Sequence, residues 1–204
     1  MSDASPPLAV TMGDPAGCGP QIVAKAWQKL HLNTPNTFVV IGPEKAFSQY
    51  CSVQKIQSVE EAADIFPHAL PVFDTGIDMP DIAPGEPSTS AAEAIIGSIE
   101  TATGLVQTGT ASALVTNPIN KALLYKTGFE HPGHTEFLAA LCQTQPDQRL
   151  TPVMMLVGGG LKVSLATIHL PLTDAVSAIS ADLLMRVATV TLSLIHISEP
   201  TRPY

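Results

Sequence analysis

Leu8-Ala9-Val10-Thr11-Met12-Gly13-Asp14-Pro15-Ala16-Gly17-Cys18-Gly19-Pro20, continuing to Leu30 as QIVAKAWQKL, is the stretch that decides the fold. Its first five residues are a short, mostly apolar run of the kind a strand buried on both faces needs, closed by Gly13-Asp14-Pro15. From Pro20 the pattern changes period. Ile22, Val23, Ala26, Trp27 and Leu30 are expected on one helical face, with proline at a favoured first-turn position. Thr37 to Ile41 (TFVVI) reads as the next strand. Strand, glycine turn, helix and strand in this order make a βαβ unit, which implies a parallel sheet.

The same alternation continues outward. Thr75 to Ser90, rich in Pro, Gly and Asp, is expected to be a long surface loop; Ser90 to Val106 a helix; Ala113 to Thr116 a strand; and Ile119 to Tyr125 and Glu136 to Leu141 further helices. Val153–Val157 and Lys162–Ile168 read as a hairpin across Gly158-Gly159-Gly160, whose turn needs positive φ. Ala181 to Leu192 reads as an amphipathic helix, after which Ser193 to Tyr204 (SLIHISEPTRPY) breaks the pattern, as a loose terminal tail or as appended foreign sequence. The fold class that follows is α/β with a largely parallel, mixed sheet in three α/β/α layers.

The 204 residues carry 10 Lys+Arg against 18 Asp+Glu, a net charge of −8, which argues against nucleic acid and anionic membrane as partners. No apolar run reaches the ~18 residues of a membrane span. Cys18, Cys51 and Cys142 are few, odd in number and widely spaced, and read as reduced thiols; with no secretory pattern at the N-terminus, a cytoplasmic protein is expected.

Three loops could carry chemistry. The Gly13–Pro20 loop is neither a G-x-G-x-x-G fingerprint nor a P-loop, and its spacing favours a tight strand-to-helix turn over a ligand cradle. In His131-Pro-Gly-His134-Thr135-Glu136, Thr135 suits an N-cap and the Pro-Gly turn aims His134 at the same helix end. This reads either as a phosphate site or as a cap beside a surface histidine. A metal pair at His131 and His134 is disfavoured, because Pro-Gly between them removes helical alignment. His169 is expected at the end of the Lys162–Ile168 strand, where a single histidine is more often packed than ligating. Lys121 offers an anion partner, with a solvated lysine on a helix's first turn as the stronger alternative.

Taken together, Val10–Pro20 (VTMGDPAGCGP), Thr116–Lys121 (TNPINK), Gly133–Phe137 (GHTEF) and Ala166–Leu172 (ATIHLPL) resemble the 4-hydroxythreonine-4-phosphate dehydrogenases of pyridoxal phosphate biosynthesis, from Leu8 to about Leu192. The resemblance implies the fold of the isocitrate and isopropylmalate dehydrogenases. It also implies NAD-dependent oxidation, with decarboxylation, of 4-phosphooxy-threonine or a related phosphorylated sugar acid. It gives His134 and Thr135 contact with the phosphorylated substrate, makes His169 one of three histidine ligands to a divalent cation (Zn, Mg or Co), and implies a homodimer at full length. It divides the chain into residues 1–126 of a first α/β domain, 127–192 opening a second, and a tail 193–204 outside the family pattern. The family's other two metal histidines, in N-P-H-A-G and H-D-Q-G segments, do not occur in these 204 residues, nor do its further substrate-binding lysine, asparagine and arginine. The chain is therefore expected to be the N-terminal portion of such an enzyme, inactive by itself.

Overall fold

A computed structural model describes residues 5–33, 37–143 and 150–198. The chain forms two compact units, Met1–Cys142 and Gln143–Tyr204. In the first, the order is β1 (Leu8–Thr11), α1 (Gly19–Leu30), β2 (Phe38–Ile41), β3 (Val53–Ile56), α2 (Ala62–Ile65), β4 (Leu70–Phe73), α3 (Ala92–Gln107), β5 (Ala113–Val115), α4 (Lys121–Tyr125) and α5 (His134–Cys142). The second contains β6 (Met155–Gly158), β7 (Leu161–Ser164), α6 (Leu172–Ala178) and α7 (Ala181–Ser198).

The five strands of the first unit form one sheet in the order β3-β4-β2-β1-β5, and every pairing is parallel. The antiparallel pairing expected of a mixed sheet occurs instead in the separate β6–β7 hairpin, whose Gly159 and Gly160 take φ of +56° and +79°. Alternate strand residues enter two cores: Val10, Phe38, Val40, Leu70 and Val72 lie in one, and Ala9, Val39, Ile41 and Ile56 in the other. That alternation is what a sheet covered on both faces requires. On α1 the buried stripe is Pro20, Val23, Ala24 and Trp27, an i, i+3, i+4, i+7 set. Ile22 and Leu30, expected on that face, are exposed, because Ile22 lies nearly opposite this stripe and Leu30 is the last residue of the helix. Trp27 donates its indole N–H to the Phe66 carbonyl at 2.8 Å, and Phe66 meets Phe38 edge-on, so one aromatic joins α1 to the segment after α2.

The chain leaves β1 toward β2 on one side and returns through α3 to β5 on the other, so the sheet's topological switch point lies between β1 and β5. There the two strand ends are stitched together. Asn117 donates its side-chain amide to the Thr11 carbonyl at 2.7 Å and its backbone N–H to the Thr11 hydroxyl at 2.9 Å, while the Asp14 N–H donates to the Pro118 carbonyl at 2.9 Å. On the other side of β1, the buried Ser98 of α3 donates to the Ile41 carbonyl at 2.6 Å and accepts from the Met12 N–H at 2.9 Å. Gly13 has φ of +73°, and a Cβ placed on it would lie 2.6 Å from Asn117 Cβ; one on Gly19 would lie 3.2 Å from the same atom. The glycines here make room for Asn117, which accounts for the tight turn the spacing favoured.

Three segments depart from the sequence reading. The stretch from 127 to Cys142, read as opening a second domain, packs in the first unit, with Phe129 and Phe137 in its main core and Leu138 and Leu141 against it. The β7 strand stops at Ser164 instead of Ile168, since its partner β6 starts at Met155 and Pro152 upstream has no N–H to offer a longer ladder. Helix α7 runs on from Leu192 to Ser198, because the sequence has no glycine or proline between Ala181 and Ser198 to break it. The rest of the expected tail, 199–204, lies outside the described residues. Among those residues no single helix is long and apolar enough to cross a membrane; α6 and α7 reach that length only as a pair bent by 88°.

Two outcomes are expected. Gly13→Ala costs roughly 2–4 kcal/mol from overpacking and left-handed strain, and about half of that in an Asn117→Gly background. Urea midpoints of the four proteins in the cycle measure the coupling, and additive costs would mean that Asn117 does not explain the glycine. In α7, Leu192 and Leu194 are 55% and 49% exposed, so deleting residues 193–204 is expected to move Tm by no more than about 2 °C. A larger loss would show that the end of α7 is packed.

Candidate functional site

The candidate site begins where the Asn117 stitch ends. Asn120 caps α4 by accepting the Leu123 N–H, which makes Lys121 the first helical residue and sets Tyr125 one turn further on the same side. Both side chains reach the following turn: Lys121 donates its ammonium to the Pro132 carbonyl at 3.0 Å, and the Tyr125 hydroxyl donates to the same oxygen at 3.4 Å. The turn is held from its other side by aromatic packing. His131 stands between Phe129 and Phe137, with ring centroids 5.3 and 4.9 Å away, and the two phenylalanines meet edge-on at 5.1 Å.

Gly133 then gives its carbonyl to the Phe137 N–H at 3.2 Å, which starts α5 at His134. Thr135, expected as the N-cap, therefore sits inside the first turn. The Pro-Gly pair completes the turn two residues earlier than the threonine's cap preference suggests. The backbone N–H groups of His134, Thr135 and Glu136 have no intrahelical acceptor and lie at the positive end of the helix. Glu136, in the same first turn, brings a negative charge to this end.

His134 is half-buried, and its Nε2 is fully buried without a hydrogen-bond partner. Burial first, and the positive charge of Lys121 second, hold its imidazole below the usual histidine range, so the ring is neutral at neutral pH. An orphaned buried nitrogen costs about 1–3 kcal/mol, which a ligand accepting from it or donating to it recovers. A neutral imidazole, free helix N–H groups and a nearby ammonium form an arrangement suited to an anion with several oxygens.

His131 and His134 do not form a metal pair, since the His131 ring is occupied by its aromatic neighbours. His169 lies in the second unit, exposed in the loop between β7 and α6 and not at a strand end. Its φ of +58° is the single left-handed backbone among the described non-glycine residues, a strained conformation for histidine. Among the described residues no group of three His, Cys, Asp or Glu side chains could hold a metal ion, so His169 is not part of a formed metal centre. Two open clefts of about 450 and 530 Å3 in the first unit lie elsewhere. The smaller is lined by Pro15, Lys45, Gln49 and Asp81, but Lys45 is already paired with Asp78 at 3.2 Å.

Sequence reasoning offers Lys121 as an anion partner but favours a solvated lysine at a helix start. It is exposed, as expected, but the 11 positions separating it from Pro132 hide the contact that ties α4 to the turn.

Residues 34–199 match the family model described as pyridoxal phosphate biosynthetic protein PdxA. A curated 4-hydroxythreonine-4-phosphate dehydrogenase from Caulobacter vibrioides is 44% identical over 96% of this chain and 61% of its own length. One from Maricaulis maris is 42% identical over 91% of this chain and 57% of its own. A crystal structure of the same enzyme from Burkholderia phymatum superimposes with a TM-score of 0.79 at 30% identity, covering 91% of this chain and 56% of that one. The chain thus spans about three-fifths of the length of these relatives. The parallel sheet, the order of the motifs along it and the family match across 34–199 together place this chain in the pyridoxal phosphate biosynthetic PdxA family.

Proposed function

We propose that this chain carries the phosphate-anchoring part of an NAD-dependent dehydrogenase that oxidises and decarboxylates 4-phosphooxy-threonine in pyridoxal 5'-phosphate biosynthesis. The observation that carries the reading is the unpartnered, buried Nε2 of His134 at the start of α5, beside Thr135 and near the Lys121 charge. The relatives that bear this enzyme's name, at 44% and 42% identity, support the substrate class.

In this reading His134 hydrogen-bonds one phosphoryl oxygen, and the Thr135 hydroxyl and the first-turn N–H groups take others. Nothing reacts at these atoms. Their contribution is to convert the binding energy of the remote phosphate into orientation of the carbinol carbon, which lowers the entropy cost of reaching the transition state. Phosphate is well suited to that purpose, because it offers several acceptors and two charges at one point.

The reading gives the whole enzyme NAD as hydride acceptor, a divalent cation with His169 among its ligands, and a homodimeric form. This chain's described residues do not make the cation site. That observation, with the three-fifths coverage, favours a second reading of the chain by itself: a phosphate-binding portion without turnover.

Calorimetric titration with 4-phosphooxy-threonine tests the anchor. His134→Ala is expected to weaken binding by roughly 10–100-fold, the range of a hydrogen bond to a charged group. Equal affinity in the two proteins would remove His134 from the site. NADH formation at 340 nm tests the second reading: at saturating NAD and Mg2+, this chain is expected to run at least ~100-fold below the Caulobacter relative. Activity within tenfold of the relative would show that these residues suffice.

A further inference from the structure

We propose that Lys121 is a positioning residue of the His134–Thr135 anion site, bracing the Pro132–Gly133 turn through the Pro132 carbonyl and making the site electropositive enough to take a phosphate dianion. This rests on the phosphate reading of His134 and Thr135 given above, and assigns a role to a residue outside that pair.

Two observations carry it. The first is geometric: Lys121 and Tyr125, one turn apart on α4, converge on a single carbonyl oxygen that immediately precedes Gly133. A carbonyl has two lone pairs and accepts both donors, so the turn that presents His134 is fixed from α4 through one atom. The second is charge. His134 is neutral at neutral pH, and a helix N-terminus supplies only about half an elementary positive charge. Glu136 in the first turn of α5 subtracts a whole one. Lys126 and Glu130, both exposed on the connecting segment, offset each other, and His131 is packed between aromatic rings. Without Lys121 the neighbourhood is net negative and repels the ligand; with it the balance turns positive. Lys121 is exposed, with its ammonium on the Pro132 carbonyl and no carboxylate bonded to it among the described residues, so its charge is available to an incoming anion.

The test follows the His134 imidazole resonance of this chain by NMR through a pH titration, with and without inorganic phosphate, in the wild type, Lys121→Gln and Lys121→Arg. In the wild type, phosphate is expected to raise the His134 midpoint. In Lys121→Gln the free midpoint rises, and phosphate affinity falls roughly three- to tenfold, a little beyond what one exposed charge pair contributes. Retention in Lys121→Arg assigns the effect to charge; loss in both variants, with unchanged far-UV spectra, assigns it to the brace on Pro132, and either outcome supports the role. An equal phosphate response in the wild type and Lys121→Gln overturns the Lys121 inference and leaves the His134 site standing. No phosphate response at His134 in the wild type overturns the site reading itself, and this inference with it.

Discussion

The carboxamide of Asn117 is the constraint on which the rest depends. Its hydrogen bond to the Thr11 carbonyl, with that of the Asn117 backbone N–H to the Thr11 hydroxyl, holds the ends of β1 and β5 together at the switch point of the sheet, where such folds usually leave a crevice for a ligand. Because that crevice is filled by a side chain, Gly13 and Gly19 must lack a Cβ, and the chain after Asn117 leaves the sheet in one fixed direction. Asn120 then caps α4, Lys121 and Tyr125 reach Pro132, and Gly133 starts α5 at His134. The candidate site is thus displaced from the switch point by one short helix and a turn but remains mechanically tied to it.

The two units differ in what holds them together. The first buries apolar side chains on both faces of its sheet, and Val39, Val40, Ile41 and Leu70 are wholly enclosed. In the second, Val187 is the one buried hydrophobic among the described residues, while Leu172, Val176, Met185 and Val157 are each about two-thirds exposed or more. At about 25 cal/mol per Å2 of apolar area, a unit that buries so little gains little from its own folding. The relatives, in which the matched region is about three-fifths of the chain, carry further polypeptide beside it.

Much of the first unit was legible because local signals agreed there with the final packing. The period change after Pro20 gave α1 and the Ala- and Ile-rich run gave α3; in the second unit, three glycines between apolar runs gave the hairpin turn. β3 and β4 were missed: Val53-Gln-Lys-Ile is half polar because its outer edge faces solvent, and Leu70-Pro-Val-Phe carries a proline that argues against a strand. The end of α7 was placed too early, since a change in side-chain chemistry at Ser193 does not by itself break a helix. At the site, His134 and Thr135 could be named from residue type and spacing, but the starting residue of α5 depended on which carbonyl Phe137 reached. Lys121 became legible only when the fold brought it to a turn distant in sequence. His169 as a metal ligand rests on family resemblance, because neither its spacing nor its surroundings in this chain gather other ligands.

The electrostatics of His134 join stability to binding. Its proton affinity is lowered in the folded state by burial and by Lys121, so between its folded pKa and the ordinary value near 6.5 the unfolded chain binds more protons than the folded one. Stability therefore falls as pH drops through that window. Above it both states carry a neutral ring and the contribution is flat. An anion on Nε2 acts in the opposite sense: it favours the protonated ring, raises the folded-state pKa and recovers the orphaned nitrogen's cost of about 1–3 kcal/mol. A ring kept neutral and unpartnered in the free protein is thus poised so that an oxyanion relieves both penalties at once, whereas an uncharged ligand of the same shape would relieve only the missing hydrogen bond. In the proposed phosphate-anchoring role, discrimination between a phosphorylated ligand and its dephosphorylated form would rest on the charge response of this one side chain.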